Sequence, residues 1–97
     1  MEPDTLSTAT TAVAADNTLS TTIDGETVIL HRDVGKYYGL NEVGTFVWEL
    51  LQEPRSVDEL CREVVGAYDV ERNRCRKDIE DLLTDLAQKN LVQLTEA

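Results

Sequence analysis

The sequence predicts an α+β fold of winged helix-turn-helix-like outline, with a three-stranded antiparallel meander followed by three helices and a short terminal strand. Three observations carry this. Two β-prone runs, Thr18–Ile23 and Glu26–Arg32, are divided by Asp24-Gly25, the strongest short hairpin signal, since both turn residues tolerate positive φ. A third run, Lys36–Leu40, follows the reversal Asp33-Val34-Gly35. From Asn41 onward the apolar residues switch to spacings of three and four, the period of helices burying one face.

In chain order, Met1 to about Asn17 is rich in Ser, Thr and Ala and carries no Lys or Arg. It has too few large apolar groups to offset the entropy of ordering, so residues 1–17 read as a flexible tail and 18–97 as the domain. Ala12 to Ala15 is the one place in that tail where a scrap of strand is conceivable. In the meander, Lys36–Leu40 pairs on one side only unless something covers its other edge. Asn41 stops that strand and can cap a helix with its side-chain oxygen. The helix runs to about Gln52, burying Val43, Phe46, Val47, Leu50 and Leu51 with Trp48 beside them, and Pro54 prevents its continuation. Ser56-Val57-Asp58-Glu59 is a capping box, opening a helix with Val57, Leu60, Val64 and Val65 on its inner stripe. The last helix begins between Val70 and Arg74, runs to Lys89 and buries Ile79, Leu82, Leu83 and Leu86. Asn90 suits a left-handed cap, and Leu91–Leu94 alternates like a strand.

Composition removes several functions. Ninety-seven residues make one small domain, and 19 acidic against 9 basic residues leave a net charge of −10 that repels phosphate backbones. An acidic surface suits a neutral or basic peptide, although solubility is its commonest meaning. Cys61 and Cys75 form no C-x-x-C pair and, with His31 as the single histidine, make no zinc set, so they read as reduced, half-buried thiols. No secretory signal and no membrane-length apolar run is present, which gives the expectation of a cytoplasmic protein without a membrane partner. No G-x-S-x-G, H-E-x-x-H or phosphate-cradling glycine loop occurs, so no catalytic residue, metal or cofactor is expected. His31 reads as a surface or packing histidine. Asp78, Glu80, Asp81 and Asp85 read as a solvated helix face with i,i+4 partners rather than a metal cluster.

Two functions remain. The helical half has the outline of a DNA reader, and the last helix opens with Arg72, Arg74, Arg76 and Lys77. The acids directly after them would face phosphates, so a winged-helix regulator is the alternative and no nucleic acid is expected. Capture of an extended peptide is preferred: an exposed Lys36–Leu40 edge offers unpaired N–H and C=O groups that a peptide strand can complete. Tyr37 and Tyr38 fall on opposite faces of that strand, so one anchors the core while the other flanks the groove, unless both simply pack. Lys36 on the edge also fits a guard against aggregation.

The run DGETVILHRDVGKYYGLNEVGTFVWELL, then SVDELCREVVGAYDV, then RKDIEDLLTDLAQKNLV, resembles the PqqD-like proteins, also called RiPP recognition elements. The stand-alone B1 proteins of lasso-peptide clusters are the nearest in look. The resemblance covers about Asp24 to Leu94. It rests on the Tyr-Tyr-x-Leu-Asn join, Gly44, Trp48-x-Leu-Leu, the Leu60 helix, and Asp78-Ile79-x-x-Leu82-Leu83-x-x-Leu86. It implies a non-catalytic peptide chaperone that binds the leader segment of a ribosomally made precursor. The leader adds to the third strand, lies against the third helix, and is presented to a separate leader peptidase of the transglutaminase-like B2 type, with a cyclase acting later. Carried over to this sequence, Gly35, Lys36, Tyr37, Tyr38, Gly39 and Leu40 supply the edge. Arg74, Asp78, Asp81, Leu82 and Asp85 supply the helix wall. Leaders of this group often carry a Tyr-x-x-Pro pattern, which implies an apolar pocket. The threonine-rich first strand and the long polar N-terminus depart from the family pattern.

Overall fold

The computed structural model describes Ser7 and residues 9–96. Strand β1 (Thr11–Ala14) precedes the meander β2 (Thr18–Ile23), β3 (Glu26–His31) and β4 (Lys36–Leu40). Helix α1 (Glu42–Leu50), the two-residue strand β5 (Arg55–Ser56), helices α2 (Val57–Ala67) and α3 (Arg72–Gln88), and strand β6 (Val92–Thr95) complete the chain. The α+β architecture is the expected one: a three-stranded antiparallel sheet in the order β2-β3-β4, three helices and a terminal strand.

The local signals act as the side-chain chemistry dictates. Asp24 (φ 55°) and Gly25 (φ 81°) make the β2–β3 turn, and Gly35 (φ 71°) closes the β3–β4 turn, its N–H bonded to the His31 carbonyl at 2.8 Å. Asn41 caps α1 by accepting from Gly44 N–H at 2.9 Å. The capping box of α2 is complete: Ser56 Oγ accepts from Glu59 N–H at 3.1 Å, and Glu59 Oε1 accepts from Ser56 N–H at 2.9 Å. Asn90 (φ 61°) turns the chain out of α3.

The expected flexible tail is corrected over its second half. Thr11–Ala14 is a strand between β5 and β6, making a second antiparallel sheet in the order β5-β1-β6. Ala12 is fully buried there. Ala14 N–H bonds Leu51 O at 2.8 Å, Ala15 N–H bonds Leu91 O at 2.9 Å, and Val57 N–H bonds Thr10 O at 2.9 Å. Thr10 Oγ1 also donates to Glu96 Oε2 at 3.2 Å. Small side chains suffice in β1 because main-chain bonds, not apolar bulk, hold the strand. The first six residues and Thr8 of that tail lie outside the described residues.

One core joins the layers. The inner face of the meander (Thr27, Ile29, His31) packs on α1, whose Val47, Trp48 and Leu51 meet Leu60 and Val64 of α2, Ile79, Leu83 and Leu86 of α3, and Leu91. Trp48 donates its indole N–H to Ser20 Oγ at 3.0 Å, fixing β2 to α1. His31 is a packing residue, 4% exposed, whose Nδ1 accepts from Asp33 N–H at 3.3 Å. Val43 corrects the expected stripe of α1: it is 38% exposed, because the helix begins at the rim of a hollow rather than against the core. Cys61 and Cys75 are buried rather than half-buried. They are neighbours across the α2–α3 contact, close enough for each to influence the other's thiol.

Candidate functional site

Hydrogen-bond parity decides what the free edge of β4 presents. Arg32 N–H donates to Asn17 O at 2.9 Å, one step beyond the β2–β3 pair Thr18–His31. Bonded and non-bonded pairs alternate in an antiparallel ladder. Val28 and Leu30 therefore turn their main-chain groups to β2, while Thr27, Ile29 and His31 turn theirs to β4. Their partners Leu40, Tyr38 and Lys36 bond inward. Tyr37 and Gly39 are left with N–H and C=O groups directed away from β3, and β4 pairs with no other strand among the described residues. Gly39 adds no side chain there, and nothing lies within 4 Å of where a Cβ would stand.

The same alternation separates the tyrosines. Tyr38 and Leu40 turn inward and pack on the core, whereas Tyr37 is 70% exposed on the outer face. Tyr38 is thus the tyrosine on the helix side. The ammonium of Lys89, at the C-terminal end of α3, sits 5.2 Å from its ring centroid. At the other end of β4 the strand enters α1 tightly. A Cβ on Gly44 would stand 3.2 Å from Leu40 Cβ and 3.3 Å from Asn41 Oδ1, so a larger residue seats the capped helix this close only if the strand end gives by a few tenths of an ångström.

Between that join and α3 opens a hollow of about 370 Å³, lined by Asn41, Val43, Gly44, Val64, Val70, Cys75, Asp78, Ile79 and Leu82. Its lining is mostly apolar with an amide and a carboxylate at its margin, the composition of a side-chain pocket. A larger hollow of about 550 Å³ lies near the β3–β4 turn, but Asp16, Asn17, Asp33, Asn90 and Gln93 make its wall polar. Ala15, Val34 and Val92 give it only a partly apolar lining, and the smaller, more apolar hollow is the better site for an anchoring side chain.

At 100° per residue, Asp78, Leu82, Asp85 and Lys89 form one row of α3, flanking the core stripe of Cys75, Ile79, Leu83 and Leu86. Asp78 and Leu82 reach the hollow, and Lys89 ties the row to β4 at Tyr38. Arg74 and Asp81 belong to the outer rim, away from the core stripe. Arg74 pairs with Asp78 at 3.8 Å and Lys77 with Asp81 at 4.0 Å, all well exposed. Asp85 accepts from Lys89 Nζ at 2.9 Å, and Arg76 pairs with Glu80 at 3.0 Å. The acids of this helix are therefore i,i+4 partners of its own cations, leaving Arg74, Arg76 and Lys77 engaged rather than offered to phosphates. Sequence reasoning missed Lys89 and the Asn41, Val43, Val64 and Val70 share of the hollow. Val43 had a usable signal, an apolar residue in the first turn directly after a strand.

Desolvation raises both buried thiols. Cys61 is pushed up from 9.0 to about 11 by burial first and by its neighbour Cys75 second. Cys75 is raised by burial, against the neighbouring Cys61 thiol, which lowers it. Both are neutral thiols at physiological pH, poorly suited to nucleophilic work.

A family model described as coenzyme PQQ synthesis protein D (PqqD) matches residues 26–92. The solved structure of TbiB1 in complex with the TbiA(beta) leader peptide is 36% identical in sequence and superposes with a TM-score of 0.79, covering 84% of this chain and 94% of TbiB1. A lasso peptide synthetase B1 complexed with its leader peptide shares 22% identity at a TM-score of 0.75, over 84% of this chain and 96% of its own. The PqqD portion of Methylobacterium extorquens PqqCD, a stand-alone RiPP recognition element, shares the fold at 20% identity and a TM-score of 0.77, over 96% and 99%. No curated protein matches the chain.

Proposed function

The chain belongs to the PqqD family, and on that premise we propose that it binds the leader segment of a ribosomally made precursor peptide by strand addition to β4. One observation carries the reading. The outward main-chain groups of Tyr37 and Gly39 lie on an edge that no other strand covers among the described residues, and the strand they belong to runs directly into the wall of an apolar hollow. An extended leader gains main-chain bonds along β4 whatever its sequence, at roughly 0.5–1.5 kcal/mol net each. Selectivity comes from one apolar or aromatic side chain entering the hollow beside Val43, Ile79 and Leu82.

In this proposal Gly35 to Leu40 supply the edge, with Tyr38 and Leu40 holding the strand to the core. Leu82 and Asp78 contact the leader's anchoring side chain, and Asp85 with Lys89 forms the wall opposite the strand. Arg74 and Asp81, on the outer rim, meet only a leader that extends past α3. The precursor is of the lasso-peptide class, as the lasso peptide synthetase B1 relative suggests. Its partners are a separate transglutaminase-like leader peptidase and, later, a cyclase. The chain makes and breaks no bond; it raises the local concentration of substrate and fixes its register for the peptidase.

Titration of a labelled lasso-precursor leader peptide against the protein tests this. Saturable 1:1 binding that changes little between low and high salt is expected, since main-chain bonds and apolar contacts dominate. No binding, or association with duplex DNA that collapses steeply with salt, overturns it in favour of a nucleic-acid reader.

A further inference from the structure

The meander has a second free edge. Strand β2 pairs with β3 alone among the described residues, and by the parity that exposes Tyr37 and Gly39, it is Ser20 and Thr22 that direct N–H and C=O groups outward. Edge strands are commonly guarded by lysine, proline, a bulge or brevity. β4 carries Lys36, whereas β2 is six residues reading TLSTTI, with no charge, no proline and an unbroken register against β3. It is also held in shape from inside, by the Trp48–Ser20 bond at 3.0 Å and the Thr22–Thr27 hydroxyl pair at 2.7 Å. Its outer face shows Leu19, 56% exposed, and Ile23, 65% exposed, continuous with Val28 and Tyr37.

We infer that β2 is a self-association edge, pairing antiparallel with β2 of a second copy across a two-fold axis at Thr21. The occupant follows from charge and register. Each chain carries a net −10, yet β2 against β2 brings no charged side chains of the strands together. With Thr21 opposite Thr21, Ser20 and Thr22 of each copy exchange main-chain bonds, and Leu19 of each copy lies beside Ile23 of the other on the outer face, twice by symmetry. The product is a six-stranded sheet with a β4 edge free at either end, so two peptides bind without competing with the contact. One strand pair covers less area than stable interfaces of about 1,200–2,000 Å² bury, and the like-charged bodies repel. The dimer is therefore weak, and salt strengthens it by screening that repulsion.

Sedimentation velocity from micromolar to millimolar concentration, at low and at moderate salt, tests this independently of the peptide reading. A concentration-dependent dimer, more abundant at higher salt, is expected for the full chain. Leu19→Lys and Ile23→Lys, both at exposed positions, should leave a monomer at every concentration with unchanged circular dichroism and unchanged leader affinity. Saturating leader peptide should leave the dimer in place. A monomer throughout overturns the inference. So does a dimer that survives both lysine variants, or one that saturating peptide dissolves, since either outcome moves the contact to another surface or to β4.

Discussion

The ammonium of Lys89 stands 5.2 Å from the ring centroid of Tyr38, bridging the last turn of α3 to the middle of β4. The contact fixes the distance between the two walls of the proposed groove, and Asp85 steadies the lysine from the same helix at 2.9 Å. Lys89→Met keeps the aliphatic stem and removes the charge. It should lower stability by no more than about 1 kcal/mol, as for a partly exposed cation–π contact, measured by urea unfolding. Leader affinity should fall more than stability does, because the walls lose their tie.

Proline scanning of β4 separates inward from outward N–H groups. Tyr37→Pro removes a donor directed away from β3, so the protein should stay folded while leader affinity drops about tenfold or more. Tyr38→Pro breaks a bond to β3 and should lower the unfolding midpoint markedly. Calorimetric titration beside thermal melts distinguishes the two, and equal loss of affinity without loss of stability in both would contradict the parity.

The hollow can be tested without disturbing the core. Val43 lines it while 38% exposed, so Val43→Glu should leave the melting temperature nearly unchanged and weaken leader binding at least tenfold. Unaltered affinity by fluorescence polarisation would place the anchoring side chain elsewhere.

Ser56 completes the capping box of α2 at a site remote from β4. Ser56→Ala should cost about 1 kcal/mol in urea unfolding and nothing in leader affinity.

Cys61 links stability to alkaline pH. Its folded value of about 11 exceeds the ordinary 9.0, so the unfolded chain loses this proton first. The contribution is intact below pH 9 and is lost as pH rises from 9 towards 11. Unfolding midpoints should fall over that window, and Cys61→Ala should flatten the fall. In the folded protein at pH 8 both thiols should resist iodoacetamide until denaturant is added.

The parts of the fold legible in the sequence were those whose cause is local. Asp24-Gly25, Gly35, Asn41, the Ser56–Glu59 box and Asn90 each act within a few residues of themselves, and each sits where its chemistry requires. What stayed illegible depends on distant partners. Thr11–Ala14 is a strand only because Arg55–Ser56 and Val92–Thr95 flank it, and its one buried side chain, Ala12, gives no apolar signal. For the site, the β4 edge followed from the order of turns. Which tyrosine faced the helices did not, because that depends on the β3–β4 register, which sets Tyr38 opposite the buried Ile29. Lys89 is an ordinary helix-end lysine until α3 is laid across Tyr38.

Strand β1 brings the two ends of the described chain together. It lies antiparallel to β6, and Thr10 reaches Glu96 at 3.2 Å, so the first and last described stretches lie side by side. A host enzyme can thus take the module up as an insertion between two adjacent surface points, with short connectors and no stretching of either partner. Cutting the chain at Thr18 to obtain a smaller version would instead strip the middle strand from the second sheet and unfasten the helices.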